Sequence, residues 1–113
     1  MAVVTHLGID PPKVTHYLLD LTSPQGRGKA TFFLARGFSR DRPEEFALAL
    51  VRQAFAGWPG DSLTVPDAVK HRITGPIACP DGTKPTILTV WYIADGDTTA
   101  MLTTARPGRF KGV

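Results

Sequence analysis

Apolar residues recur with different periods in the two halves of the chain. Between residues 11 and 56 they recur every three or four positions, which is the period of an amphipathic helix. Between residues 68 and 105 they lie in short runs bounded by glycine, proline and aspartate, which is typical of strands. Helices first and strands afterwards predict an α+β fold, with N-terminal helices packed on one face of a C-terminal antiparallel β-meander.

Two short helices are predicted first. The first covers about residues 11–20, because Asp10 can cap free amides and proline is tolerated in a first helical turn. The second covers about residues 29–36, and Gly37 is well placed to end it.

A longer third helix is predicted after these two. Asp41–Glu44 resembles a capping box, in which an acceptor side chain and a glutamate three residues later bind free amides. A broad apolar face continues to about Ala56, and Gly57 ends it.

Three strands are predicted in the second half. They are Lys70–Pro76, Lys84–Ile93 and Ala100–Ala105, separated by turns at Asp81-Gly82 and Asp95-Gly96. Asp-Gly accepts the positive φ that tight turns need, so the strands form an antiparallel meander. The middle strand is apolar on both faces and is therefore predicted to be central.

The 113 residues are sufficient for one domain with one hydrophobic core. Within residues 1–113 we predict a helical half over about 9–57, a linker over 58–67 and a sheet half over about 68–107. Trp58 is expected to be exposed in the linker.

The charge balance favours anionic partners. Thirteen Lys and Arg residues against ten Asp and Glu give a net charge of +3 and a pI of about 9.4. Basic proteins attract polyanions over long range, which makes RNA one candidate partner and acidic proteins another.

Cysteine usage and the first residues predict a cytoplasmic protein. Cys79 is the only cysteine and is expected to be a small buried residue without a disulfide partner. Residues 1–6 lack the charged start and long apolar run of a secretory signal, and no run approaches the roughly 20 apolar residues that span a bilayer. No membrane attachment is predicted. The alternative to a cytoplasmic location is that the domain lies at the C-terminus of a larger secreted polypeptide.

Several familiar kinds of site are not predicted. Gly26–Lys29 lacks the full P-loop pattern and follows no strand, so ATP is not an expected ligand. The three histidines lack a close ligand spacing, so no metal site is expected. The serines lack a nucleophile-elbow context, and no cofactor is predicted.

His71 is the candidate proton-transfer group. Strand alternation places it on one face with Val69 and Ile73, while Lys70 and Arg72 lie on the other. Its imidazole can give or take a proton near neutral pH. The alternative is a hydrogen-bonded histidine at the margin of the core.

Metal-free cleavage of RNA is compatible with the other residue types. It requires a base, an acid and groups that stabilise negative charge on phosphate. Thr89 and Thr103 can present hydroxyls from the middle and last strands, and Trp91 can stack on a base. Ordinary strand packing is the alternative explanation for Thr89 and Trp91.

Four basic residues in the helical half are candidate RNA-binding residues. Lys13 and His16 are three residues apart and share a helical face, for which a solvated surface is the alternative. Arg27 and Lys29 lie in a basic glycine-containing segment at the start of the second helix, where an anion can bind.

Short motifs distributed over about residues 9–107 resemble a small uncharacterised bacterial domain family. They are Lys13–Leu19, Gly28–Phe33, Gly37-Phe38, Gly75-Pro76, Pro80–Gly82, Leu88–Ile93 and Leu102–Ala105. Domains of that family are associated with polymorphic toxins and toxin-antitoxin loci. Their layout is similar to the ribonuclease superfamily that joins barnase, EndoU, colicin nuclease domains and RelE.

The resemblance implies a toxin-like, metal-independent ribonuclease. By position it implies Lys13 and Lys29 on the helical side of a cleft, facing His71, Thr89 and Thr103 on the sheet.

One position departs from the family pattern. Where relatives tend to have a tyrosine, this chain has Arg106, which can bind phosphate in place of a stacking aromatic ring.

The sequence is also compatible with a different class of function. A non-catalytic interaction module, such as an antitoxin, immunity protein or adaptor, would use a sheet edge and the Trp58 loop to bind a protein. For the ribonuclease, a cognate antitoxin or immunity protein is the expected protein partner.

Overall fold

The computed structural model describes residues 4–108, which form three α-helices, one π-helix and a five-stranded mixed sheet. In chain order the elements are β1 (His6–Gly8), α1 (Pro11–Lys13), a π-helix (Val14–Leu18), α2 (Arg27–Leu34), α3 (Pro43–Gly57), β2 (Asp61–Val65), β3 (Ala68–Pro76), β4 (Thr86–Ala94) and β5 (Thr99–Pro107). The predicted α+β class is confirmed.

The sheet has the strand order β1-β5-β4-β3-β2. Strands β2 to β5 pair antiparallel, and β4 is central as its two apolar faces predicted. Gly82 and Gly96 have φ angles of +88° and +86°. The glycines of the two predicted turns therefore adopt the positive φ that other residues rarely adopt.

Two short strands were not predicted. β1 pairs parallel with the start of β5, where His6 lies opposite Thr99. β2 occupies part of the predicted 58–67 linker and pairs with β3. Four of its five residues are exposed, so β2 lacks the apolar alternation that identifies a half-buried strand.

The helices lie close to their predicted positions, but the predicted capping hydrogen bonds are not formed. Asp10 is the N-cap of α1, although its side chain makes no capping hydrogen bond. The capping box predicted at Asp41 is wrong: α3 begins at Pro43, Arg42 is its N-cap, and no side chain caps it. Pro43 has no N–H group that needs a cap. Glu44 and Glu45 also lie in the first turn of α3, where their carboxylates interact favourably with the helix dipole.

The helices cover one face of the sheet. Along β4, buried residues alternate with half-buried or exposed ones, and the buried set is Ile87, Thr89, Trp91 and Ile93. The other face, which we call the open face, carries Leu88, Val90 and Tyr92.

Cys79 is buried as predicted, and burial raises the pKa of its thiol.

No helix within residues 4–108 is long and apolar enough to cross a membrane.

Asp81 in the β3–β4 connection should make stability depend on pH. The hydroxyl and then the backbone N–H of Thr83 donate to its carboxylate and lower its pKa below the ordinary value of 3.8. Because the folded-state pKa is the lower one, this stabilisation is complete above pH 3.8 and disappears as the pH falls through the folded value.

We therefore expect Asp81→Asn to lower the urea midpoint at pH 7 and to have a smaller effect at about pH 2. Asp41→Asn, at another exposed turn position, is the matched control. Equal destabilisation by Asp81→Asn at both pH values would contradict the assignment.

Candidate functional site

Three cations from separate parts of the chain meet in one open hollow of about 580 Å³. We call it the basic hollow, and its lining residues are Lys13, Tyr17, Gln25, Lys29, Val90, Thr103, Thr104 and Arg106. Among these described lining residues none is acidic, so the hollow presents positive charge and hydrogen-bond donors to solvent.

The helical wall of the basic hollow depends on close packing around Tyr17. Lys13 lies four residues before Tyr17, so both side chains lie on one side of the first helical segment. Gly26 is the N-cap of α2, and a Cβ atom there would collide with the carbonyl oxygen of Tyr17. Glycine thus lets α2 begin against the π-helix and brings Lys29 to the same tyrosine.

The Tyr17 side chain connects the helical wall to the sheet. Its hydroxyl lies 3.0 Å from Thr104 Oγ1, and either oxygen can donate in this hydrogen bond. The Nζ atoms of Lys13 and Lys29 lie 5.7 and 5.5 Å from the centre of its ring. Two ammonium groups therefore stand over one aromatic ring, an arrangement that cation–π attraction favours.

A β-bulge forms the sheet wall of the basic hollow. Val90 pairs with Thr104, whereas the next residue, Trp91, pairs with Leu102, so Thr103 is the additional residue of β5. A bulge changes the direction of side chains next to it. Two consecutive threonines consequently line the same hollow.

The structure brings together four of the residues that the sequence singled out. Lys13, Lys29, Thr103 and Arg106 all line the basic hollow. Tyr17 was not among the candidates, because a tyrosine at an apolar position of a helix predicts burial in the core.

His71 lies elsewhere, on β3. Its Nδ1 is 2.9 Å from the Pro59 carbonyl oxygen, and its ring stacks on Trp58 with 4.5 Å between ring centres. This is the hydrogen-bonded histidine at the core margin that the sequence left open. The expected exposure of Trp58 is corrected as well: its ring is half-buried because it packs against the core and His71.

Thr89 and Trp91 belong to the core in this structure. Both are fully buried. Trp91 Nε1 donates to Thr89 Oγ1, and Thr89 Oγ1 donates to Gln53 Oε1, each over 2.8 Å. Strand packing explains both residues, and neither presents an atom to the basic hollow.

His16 and Arg27 are exposed and do not line the basic hollow. His16 Nδ1 lies 2.9 Å from Thr15 Oγ1, and Arg27 is the first residue of α2. Within residues 4–108 no three His, Cys, Asp or Glu side chains form a group that could hold a metal ion.

Comparison with known proteins yields a family and no characterised relative. A family model described as a domain of unknown function, DUF6883, matches residues 1–109. No curated protein and no solved structure matches the chain. Since the match covers nearly the whole sequence, the chain belongs to the DUF6883 domain family.

Proposed function

We propose that this domain binds RNA in the basic hollow and cleaves it there without a metal ion. In this proposal it is a toxin-like ribonuclease of a bacterial toxin-antitoxin or polymorphic toxin system, acts in the cytoplasm, and is held inactive by a cognate antitoxin or immunity protein. The observation that carries the proposal is the convergence of Lys13, Lys29 and Arg106 around one hollow whose lining, as far as residues 4–108 form it, contains no acidic residue.

The three cations suit a phosphodiester better than a single charged ligand group. Arg106 lies on the sheet side, opposite Lys13 and Lys29 on the helical side. The planar guanidinium binds two phosphate oxygens at once, while ammonium groups act as compact point charges. Hydroxyls of Thr103 and Tyr17 supply further donors where negative charge develops on phosphorus.

Cleavage requires two proton transfers. The ribose 2′-oxygen bonds to phosphorus as the bond from phosphorus to the 5′-oxygen breaks; the 2′-hydroxyl loses a proton and the 5′-oxygen gains one. The lining groups that can exchange protons are the amines of Lys13 and Lys29 and the phenol of Tyr17. In the proposed scheme one lysine, as the uncharged amine, accepts the 2′-proton, and the other, as the ammonium, donates to the 5′-oxygen.

The direct test is incubation of the purified protein with single-stranded RNA in EDTA at low salt. We expect cleavage products that end in a 2′,3′-cyclic phosphate or a 3′-phosphate, and no cleavage where the ribose lacks its 2′-hydroxyl. Intact RNA after incubation with well-folded protein would contradict the proposal.

A second candidate function rests on a separate observation. Leu48 and Phe55 of α3 are 51% and 79% exposed and lie seven residues apart, with the half-buried Val51 between them. This spacing gives one apolar stripe, which favours a non-catalytic interaction module such as an antitoxin, immunity protein or adaptor.

Expression in bacteria separates the two candidates. A ribonuclease should slow growth when no partner is co-expressed, and Lys29→Gln should relieve this effect. An interaction module should be harmless in both forms.

A further inference from the structure

We infer that a second hollow, next to the basic hollow, binds the base of the nucleotide whose phosphate Arg106 contacts, which makes single-stranded RNA the substrate class. This inference rests on the proposed function. The second hollow has a volume of about 320 Å³ and is lined by Thr74, Leu88, Arg106, Pro107 and Gly108. We call it the base hollow.

Arg106 lines both hollows, so the two are neighbours on the sheet. Leu88 lies opposite Arg106 in the β4–β5 register and opposite Thr74 in the β3–β4 register. These three residues therefore form one row across the open face, with adjacent strands about 4.8 Å apart. The next row across the same face is Arg72, Val90 and Thr104, which reaches the Tyr17 hydroxyl in the basic hollow.

The lining of the base hollow differs in chemistry from that of the basic hollow. Leu88 is half-buried and, with Pro107, provides an apolar surface for the flat face of a base. Thr74 is exposed and offers a hydroxyl that can donate to or accept from a base edge. Arg106 would thus bind a phosphate in the basic hollow. The base hollow, which Arg106 also lines, would offer the attached base an apolar surface with one polar group.

Charges on the open face favour a polyanion at this end of the sheet. Arg72 lies two residues before Thr74 on the same strand face, and Asp61 of β2 lies opposite Arg72 in the register. Arg106, by contrast, has Leu88 opposite it.

A base in this position must be unpaired. Bases in a duplex are stacked inside the helix, whereas splayed bases of single strands can lie on a protein surface and be contacted along their edges. The base hollow therefore selects single-stranded substrate, and the Thr74 hydroxyl gives it a means of preferring one base.

The test uses two fluorescent oligodeoxynucleotides that cannot be cleaved because they lack the 2′-hydroxyl. One is intact, and the other has an abasic site at a single central position. We expect the wild-type protein to bind the intact strand about 10-fold more tightly at low salt, a typical effect of one well-placed base contact. The same ratio should fall close to one in Leu88→Ala.

Leu63→Ala is the matched control, since Leu63 is exposed at the outer edge of the same sheet face. This variant should keep the wild-type ratio. Circular dichroism of both variants checks that they are folded, and Thr74→Val, which preserves shape, should change the order of affinity among strands with different central bases.

The outcomes separate this inference from the proposed function. Two results would overturn the proposal that the base hollow binds a base: equal affinity of the wild-type protein for the two strands, or a ratio that Leu88→Ala leaves unchanged. Either result would leave phosphate binding in the basic hollow intact. Failure to bind either strand at low salt would overturn phosphate binding in the basic hollow and base binding in the base hollow together. A duplex bound as tightly as the single strand would also contradict the inference.

Discussion

Replacing Lys13 and Lys29 together with glutamine should lower the rate of RNA cleavage by about 10²-fold or more. A hydrogen bond to a charged group typically contributes about 1.5–3 kcal/mol, and about 1.4 kcal/mol corresponds to a factor of ten in rate. Both lysine side chains lie over Tyr17 in the basic hollow and are the proposed acid and base. The measurement is the initial cleavage rate in EDTA at constant, low salt.

The double variant should remain folded. The two lysines are half-buried, and their contacts with the Tyr17 ring are worth about 0.5–1 kcal/mol each. Lys84→Gln, at an exposed position in the β3–β4 connection, controls for loss of general positive charge. His71→Ala is the second control and should retain cleavage, since His71 does not line the basic hollow.

The opposite pattern would be decisive. If His71→Ala abolished cleavage and the double lysine variant retained it, the reaction would occur beside Trp58 instead of in the basic hollow. If Lys84→Gln reduced the rate as much as the double variant did, long-range attraction would explain the effect.

The parts of the fold that could be predicted are those that local chemistry determines. The apolar faces of β4 identified a central strand, and Gly82 and Gly96 identified turns, because both signals lie within a few neighbouring residues. β1 was missed because three residues paired in parallel at a sheet edge give no periodic pattern. The cap of α3 was misplaced because proline favours the first helical position, which makes Arg42 the N-cap, and because the Asp41 N–H donates to Ser39 Oγ and not to Glu44.

The candidate site was predictable in its residue types but not in its geometry. Tyr17 and Thr104 are 87 residues apart in the sequence, and no spacing rule connects them. The bulge that brings Thr103 beside Thr104 is a register shift between two strands, and it depends on pairing rather than on either strand's own sequence. Alternation correctly assigned His71 to the helix-facing side, but could not show that Pro59 and Trp58 occupy it there.

Gln53→Leu should destabilise the protein by about 3 kcal/mol. Gln53 is a nearly fully buried polar residue of α3, and its Oε1 accepts the hydrogen bond from Thr89. Its amide nitrogen contacts three strand carbonyls, at 3.0 Å to Ile73, 3.4 Å to Gly75 and 3.3 Å to Ile87. A buried polar group left without its partner costs about 1–3 kcal/mol, and leucine would leave the Thr89 hydroxyl without its acceptor and the carbonyls without this donor.

The measurement is the free energy of unfolding in urea at pH 7. Arg52→Leu is the matched control, because it introduces the same residue at the adjacent, exposed position of α3 and should change stability by about 0.5 kcal/mol or less. Wild-type stability of Gln53→Leu would contradict the assignment of these hydrogen bonds.

A double variant tests whether the buried groups act as one network. Thr89→Val alone leaves Gln53 Oε1 and Trp91 Nε1 without hydrogen-bond partners. When Gln53 is already leucine, the same change leaves only the Trp91 indole N–H without a partner. We therefore expect Gln53→Leu with Thr89→Val to cost less than the sum of the two single variants, with a coupling of about 1 kcal/mol. Simple additivity would mean that Thr89 and Gln53 stabilise the core independently.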